Sequence, residues 1–168
     1  NPHCLIIDPA DIHIGKLASK TQTGEDYNSS IAVQRVKEGV RGILQKASSF
    51  EIDKIFFIAG NDVLHTDTPR STTTKGTHVD SEGTWYDNYL IAKQLYIDVL
   101  EMLIPLANVE VVFCPSNHDF MSGFFLMDSI TSWFDKCEHV TFHASIKHRK
   151  YVSYGNNCFG FTHGDGAK

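Results

Sequence analysis

The sequence predicts an α/β fold of layered sheets and helices, and three observations carry that prediction. Short apolar runs of buried-strand type recur at Cys4–Ile7, Ile55–Ala59 and Val109–Cys114. The segments between them place apolar residues three and four positions apart, the helical period. Each run leads into a loop that carries Asp, Asn or His, which puts polar chemistry at strand ends. Three β-loop-α units followed by clustered strands define the α/β class.

Taken in order, Cys4-Leu5-Ile6-Ile7 is a strand that stops at Asp8-Pro9. A helix opens near an N-cap at Ser29 or Ser30 and buries Val33, Val36, Val40, Ile43, Leu44 and Ala47 along one stripe. Gly39 and Gly42 weaken it by roughly 1 kcal/mol each relative to Ala, and close packing against a neighbour is the expected compensation. The run Ile55–Ala59 leads directly into Gly60-Asn61-Asp62. Residues 66 to 84 form a polar, Thr-rich stretch too long for a simple connection, so it is either functional or mobile. Helical spacing returns from Trp85 to Ile104, and Pro105 closes it. Val109–Cys114 then delivers Ser116-Asn117-His118-Asp119, a helix covers Phe124 to Phe134, and strands follow near Val140–Phe142, Tyr151–Tyr154 and Cys158–Phe161.

The 168 residues are 42% hydrophobic and 21% charged, the profile of one globular domain over residues 1–168. No apolar run reaches the ~20 residues that cross a bilayer, and no signal-peptide pattern opens the chain, so the expectation is a cytoplasmic protein with no membrane partner. Cys4, Cys114, Cys137 and Cys158 form no CxxC pair and read as reduced core residues. The formal charge of −5 excludes a global basic footprint for nucleic acid, so any phosphate binding is local. The start at Asn1 and the stop at Lys168, directly after a His-Gly-Asp segment, suggest a chain trimmed at both ends.

Asp11 and His13, two residues apart in a tight loop, suit one ion between them, but equally suit a loop-capping Asp beside a surface His. Asp62 is a ligand or a turn residue, and His163 a ligand or a strand-end histidine. Asn117-His118-Asp119 is more specific, because an Asn oxygen is an uncommon ligand and a His beside a carboxylate suits proton transfer. Jointly these clusters end four of the strand-like runs. In open α/β sheets the carboxyl ends of strands share one edge, which lets such distant residues converge. Two divalent cations held by a shared carboxylate acidify a bridging water and neutralise phosphoryl oxygens. Oxygen and nitrogen ligands without thiolate suit Mn²⁺, Fe or Zn²⁺, and local cations reconcile an acidic chain with an anionic substrate.

The pattern resembles the calcineurin-like metallophosphoesterases. Asp11-Ile12-His13 is similar to their DxH block, Asp62 with His65 to GDxxH, Asn117-His118-Asp119 to GNHD, and His163 to their lone His. The run Asp11–Gly15 followed by Asp62–His65 is most similar to the DNA-repair exonuclease branch, whose bacterial member partners a large ATPase; the stretch Ser71–Thr77 resembles phage-encoded relatives. The resemblance implies a layered α-β-β-α sandwich of two mixed sheets flanked by helices, incomplete at its C-terminus. It implies two divalent metals, Mn²⁺ favoured over Fe, Zn²⁺ or Mg²⁺. Asp11 and His13 would bind the first, Asp62 both, and Asn117 and His163 the second. His118 would act as general acid or transition-state stabiliser with Asp119 orienting it, and His65 would reach toward the scissile phosphate. A hydroxide bridging the metals would attack a phosphodiester, with DNA as substrate and an ATPase subunit or a second copy as partner. Asn61 and Ser116 stand where the family has Gly, and no GHxH occurs, which leaves each ion three protein ligands and predicts weak or partial occupancy. The alternatives are a small phosphomonoester or cyclic nucleotide as substrate, or a non-catalytic metal-binding or partner-binding module.

Arg70 and Lys75 in the long loop are candidate substrate contacts. The basic run Lys147-His148-Arg149-Lys150 is either a solvated hairpin face or a phosphate-backbone contact. Trp85, Tyr86 and Tyr89 have helical spacing and read as core before base-stacking platform.

Overall fold

Parallel pairing of four strands in sequence order organises the computed structural model, which describes residues 1–165. The strands are β1 (His3–Ile7), β2 (Ile52–Gly60), β3 (Asn108–Cys114) and β4 (Val140–His143), arranged β1-β2-β3-β4. Between β1 and β2 lie α1 (Lys20–Thr23) and α2 (Ser29–Ala47); α3 (Trp85–Leu103) joins β2 to β3 and α4 (Phe120–Trp133) joins β3 to β4. An antiparallel hairpin, β5 (Lys150–Tyr154) and β6 (Asn157–Phe161), completes the order. The expected domain boundary at 168 lies outside the described residues.

Successive crossovers that always advance the sheet in one direction, each right-handed, stack their helices on one face. The side-chain alternation of the strands agrees. Ile55, Phe57 and Ala59 of β2 and Val109, Val111 and Phe113 of β3 join the core that includes Val40 of α2, Leu95 and Val99 of α3, and Leu126 and Ile130 of α4. The opposite parity, Phe56, Ile58, Val112 and Cys114, packs under Val152, Phe159 and Phe161 of the hairpin. Burial on both faces explains why these strands read as continuous apolar runs rather than alternating ones. The layers are therefore helices, parallel sheet and antiparallel hairpin. Among the described residues one sheet is wholly parallel and the other wholly antiparallel, where the sequence reading expects two mixed sheets.

Several local expectations change. The N-cap of α2 is Asn28, whose side chain accepts from Ile31 N at 2.9 Å. Gly39 and Gly42 do not mark close packing, since a Cβ at either would meet nothing within 4 Å. Helix α4 starts four residues before the expected Phe124, because the Asp67 carboxylate of the long loop accepts from the N–H groups of Met121 and Ser122. Trp85 and Tyr86 are 57% and 51% exposed and so are not core: burial along α3 begins only at Asn88, one turn in. Cys158 is exposed on β6, while Cys114 is buried; all four thiols are free. No helix among the described residues is long and apolar enough to cross a membrane.

Candidate metal centre

Three loops leave the carboxyl ends of β1, β2 and β3, and main-chain hydrogen bonds lock them side by side. Asp11 N donates to Asn61 O at 2.8 Å, His13 N to Asp62 O at 2.9 Å and Ile14 N to Val63 O at 2.8 Å; His65 N returns to Ile14 O at 2.9 Å. These bonds extend the β1–β2 pairing past the sheet edge into the polar clusters. The third loop joins through Asn61 N to Cys114 O at 3.0 Å and Asp62 N to Ser116 Oγ at 2.8 Å.

The geometry needs unusual backbone. Asp11, His13, Asn61 and Asp62 all have φ between 49° and 62°, the left-handed region that costs a non-glycine residue energy. Gly60, at φ 87°, could not be replaced: a Cβ there would lie 2.2 Å from Cys114 O. Its N–H donates to the hydroxyl of the fully buried Tyr96 at 2.9 Å, so α3 fixes the turn from beneath.

The other four predicted ligands, Asp11, His13, Asn117 and His163, gather about Asp62, which is 4% exposed. Ligand atoms of Asp11, His13 and Asp62 lie within 4.8 Å of one another. On the other side, Asp62 Oδ2 is 3.4 Å from His163 Nε2, which is 2.9 Å from Asn117 Oδ1. The remaining Asp62 oxygen, Oδ1, accepts from His118 N at 3.1 Å. His163 reaches the group because β6 runs back up the second face and ends at Phe161, two residues before it.

His13, His65 and His118 form a second group with ligand atoms within 4.8 Å of one another. His65 Nδ1 faces His13 Nδ1 at 3.2 Å, and the rings of His65 and His118 stack with centroids 5.3 Å apart. Burial, reinforced by the neighbouring His13 and His118, pushes the His65 imidazole down to about 4. Burial and then His118 lower His13 as well, so its 3.6 Å approach to Asp11 is not an ion pair near neutral pH. Both rings are therefore neutral and offer lone pairs. Facing imidazole nitrogens, a shared carboxylate and an amide oxygen, with no thiolate in the set, fit divalent cations of the Mn²⁺, Fe, Zn²⁺ type.

Asp119 does not meet the imidazole of His118. Its carboxylate accepts from Leu64 N at 2.7 Å and from the Ser116 hydroxyl, and His118 Nδ1 instead faces His65 O at 2.9 Å. Burial raises the Asp119 carboxyl to about 6. Its position makes it a clamp between the second and third loops. Arg70 and Lys75 are exposed, and no hydrogen bond or ion pair among the described residues carries their side chains to the cluster. Hydrogen bonds tie the long loop together and to the third loop: Asp67 N donates to Thr72 O at 2.8 Å, Thr74 Oγ1 to Asp67 at 2.8 Å, and Thr74 N to Asn117 O at 3.3 Å.

Residues to which the sequence assigned no role in the site hold it in place. Asp8 accepts from Asn61 Nδ2 at 3.1 Å, while Asn61 Oδ1 is buried without a partner among the described residues. Ser116, Tyr96 and Asp67 act through one hydrogen bond or a few each; of these supporting residues Asp8, just before Asp11, and Ser116, just before Asn117, lie beside the motifs and so carry a sequence signal. Fold and site thus define an α/β protein with a His/Asp cluster that could hold a metal ion at the carboxyl ends of a parallel sheet. No family model matches the chain, and neither does any curated protein or any solved structure.

Proposed function

We propose that this chain is a metal-dependent phosphoester hydrolase acting on phosphodiesters, with DNA as its substrate class. The supporting observation is Asp62, one buried carboxylate within ligand reach of Asp11 and His13 on one side and of His163 on the other. Asp11, His13 and Asp62 would hold one divalent cation and Asp62, Asn117 and His163 a second, with Mn²⁺ favoured. Such cations, when bound, supply an acidified water and neutralise phosphoryl oxygens. The chain's own groups do the rest. His118 Nδ1 donates to the His65 carbonyl, which fixes the ring; in the imidazolium form Nε2 also carries a proton, the one the leaving oxygen would take, leaving the neutral Nδ1–H ring. His65, neutral at pH 7, hydrogen-bonds the phosphate rather than pairing with it as a cation. Asp119 is a positioning residue for both loops.

A four-layer α-β-β-α sandwich belongs with this function; helices, parallel sheet and hairpin account for three of its layers. So do a cytoplasmic location and an ATPase subunit or second copy as partner. The test is hydrolysis of bis-p-nitrophenyl phosphate and of single- and double-stranded DNA with Mn²⁺. Failure on all three substrates overturns the proposal. Faster turnover of mononucleotides or cyclic nucleotides than of oligonucleotides would assign a small substrate instead, and Mn²⁺ binding without turnover a non-catalytic module.

A further inference from the structure

Most cations of this acidic chain carry no carboxylate partner among the described residues, so their position rather than their pairing is informative. Arg35, Lys37 and Lys54 each have a carboxylate partner within 4.0 Å. Lys75, Lys147 and Arg149 are exposed and have none among the described residues. The fold gathers these three beside the centre. Lys147 and Arg149 lie in the loop from β4 to β5, and buried Lys150 anchors that loop by donating through Nζ to Phe113 O, Ser145 O and Lys147 O. Phe113 is near the end of β3, so the loop stands at the edge where the metal ligands converge. Between the two cations, His148 stacks on Phe120 with centroids 5.8 Å apart, and Phe120 N donates to Thr74 Oγ1 at 3.1 Å. Thr74 N in turn donates to Asn117 O, a candidate ligand residue, and Lys75 follows Thr74 directly.

We propose that Lys147 and Arg149, with Lys75 across the Phe120–His148 stack, seat the sugar–phosphate backbone of a single-stranded polynucleotide beside the Asn117–His163 side of the centre. This rests on the phosphodiesterase reading above. Unpaired cations next to a phosphate-processing site complement a chain of phosphates, and two flexible side chains flanking a fixed ring pair match backbone contacts that position without reading sequence.

The experiment is fluorescence anisotropy of the full chain with a labelled oligothymidylate in EDTA, where no cleavage occurs, across a salt series. Binding is compared among wild type, the double variant K147E/R149E and the control K20E/K46E, which carries the same charge change at exposed sites away from the loop; thermal melting verifies folding. The expected result is at least a tenfold loss of affinity for K147E/R149E, with the slope of log K against log salt smaller by about 1.4 for two lost phosphate contacts. No oligonucleotide binding by the wild type, an unchanged double variant, or an equal loss in K20E/K46E would each overturn the proposal. So would loss of binding to phosphatidylserine vesicles with oligonucleotide affinity intact. Because binding is read without metal, a wild type that binds but cleaves nothing defeats the phosphodiesterase reading and leaves the cationic seat standing.

Discussion

Asp119 offers the sharpest test, because its two contributions to stability have opposite signs and separate with pH. The carboxylate is 1% exposed, accepts from Leu64 N and Ser116 Oγ, and titrates near 6. A folded-state value raised above the unfolded one of about 3.9 means that folding favours the protonated form. The associated stability is fully present below about pH 4 and is lost as pH rises through about 6. A displacement of about two pH units is worth about 3 kcal/mol, an upper figure for the cost of ionised Asp119 at pH 8. In Asp119→Asn the amide still accepts from Leu64 N and can donate to Ser116 Oγ, and it carries no charge. Relative to wild type it should be near neutral at pH 4.5 and gain roughly 1–3 kcal/mol by pH 8. Asp119→Ala strands the buried Leu64 N–H and frees the Ser116 hydroxyl, costing roughly 2–4 kcal/mol at pH 4.5, with part of that loss offset at pH 8. Urea unfolding of the three proteins in EDTA at both pH values reads this directly. A gap between wild type and Asp119→Asn that stays flat with pH, or shrinks as pH rises, refutes the assignment of a buried, uncompensated carboxylate.

Other perturbations test other parts of the molecule. Asp62→Ala removes the carboxylate shared by the two proposed cation sites, so calorimetry should show Mn²⁺ affinity reduced at least tenfold, any residual binding falling to the His13–His65–His118 group, whereas Asn117→Ala should weaken only the Asp62–His163 side. Lys150→Met leaves three carbonyls without their donor and should cost about 3 kcal/mol in chemical denaturation, loosening the hairpin first. Tyr96→Phe deletes only the acceptor for Gly60 N and should cost roughly 1–2 kcal/mol by the same measurement. Gly39→Ala and Gly42→Ala, which meet open space, should each stabilise α2 by about 1 kcal/mol, raising the melting temperature.

Legibility tracked how local each cause is. The strands were readable because burial on both faces demands unbroken apolar runs such as Ile55–Ala59. The convergence of the candidate ligands was readable because chemistry-bearing side chains sit at the ends of those runs, and Asp11, His13, Asp62, Asn117 and His163 do come together. The start of α4 was hidden because its cap, Asp67, comes from a loop more than fifty residues earlier. Asp119 reads as a partner for the adjacent His118, yet its carboxylate turns to Ser116 and Leu64; adjacency in sequence does not fix side-chain direction in a tight loop. Trp85 and Tyr86 keep helical spacing but precede the turn that the sheet covers, a boundary that periodicity does not encode.

The left-handed residues tie these threads together. Asp11, His13, Asn61 and Asp62 each hold a conformation that costs of order 1–3 kcal/mol in a residue with a side chain. Glycine would remove that cost at every position, but at Asp11, His13 and Asp62 it would also remove a candidate ligand atom and at Asn61 the hydrogen bond to Asp8, so strain and site chemistry largely occupy the same residues. What sustains the strain is the main-chain ladder from Asp11–Ile14 to Asn61–Val63 and the bonds from Tyr96, Ser116 and Asp119, none of which touches a ligand atom of the Asp62 group. A polar set that merely decorated a loop would relax into ordinary turns. Here four loop residues stay strained, and the buried Asn61 Oδ1 stays unpartnered among the described residues, so the surrounding fold holds Asp11, His13 and Asp62 within reach of one another.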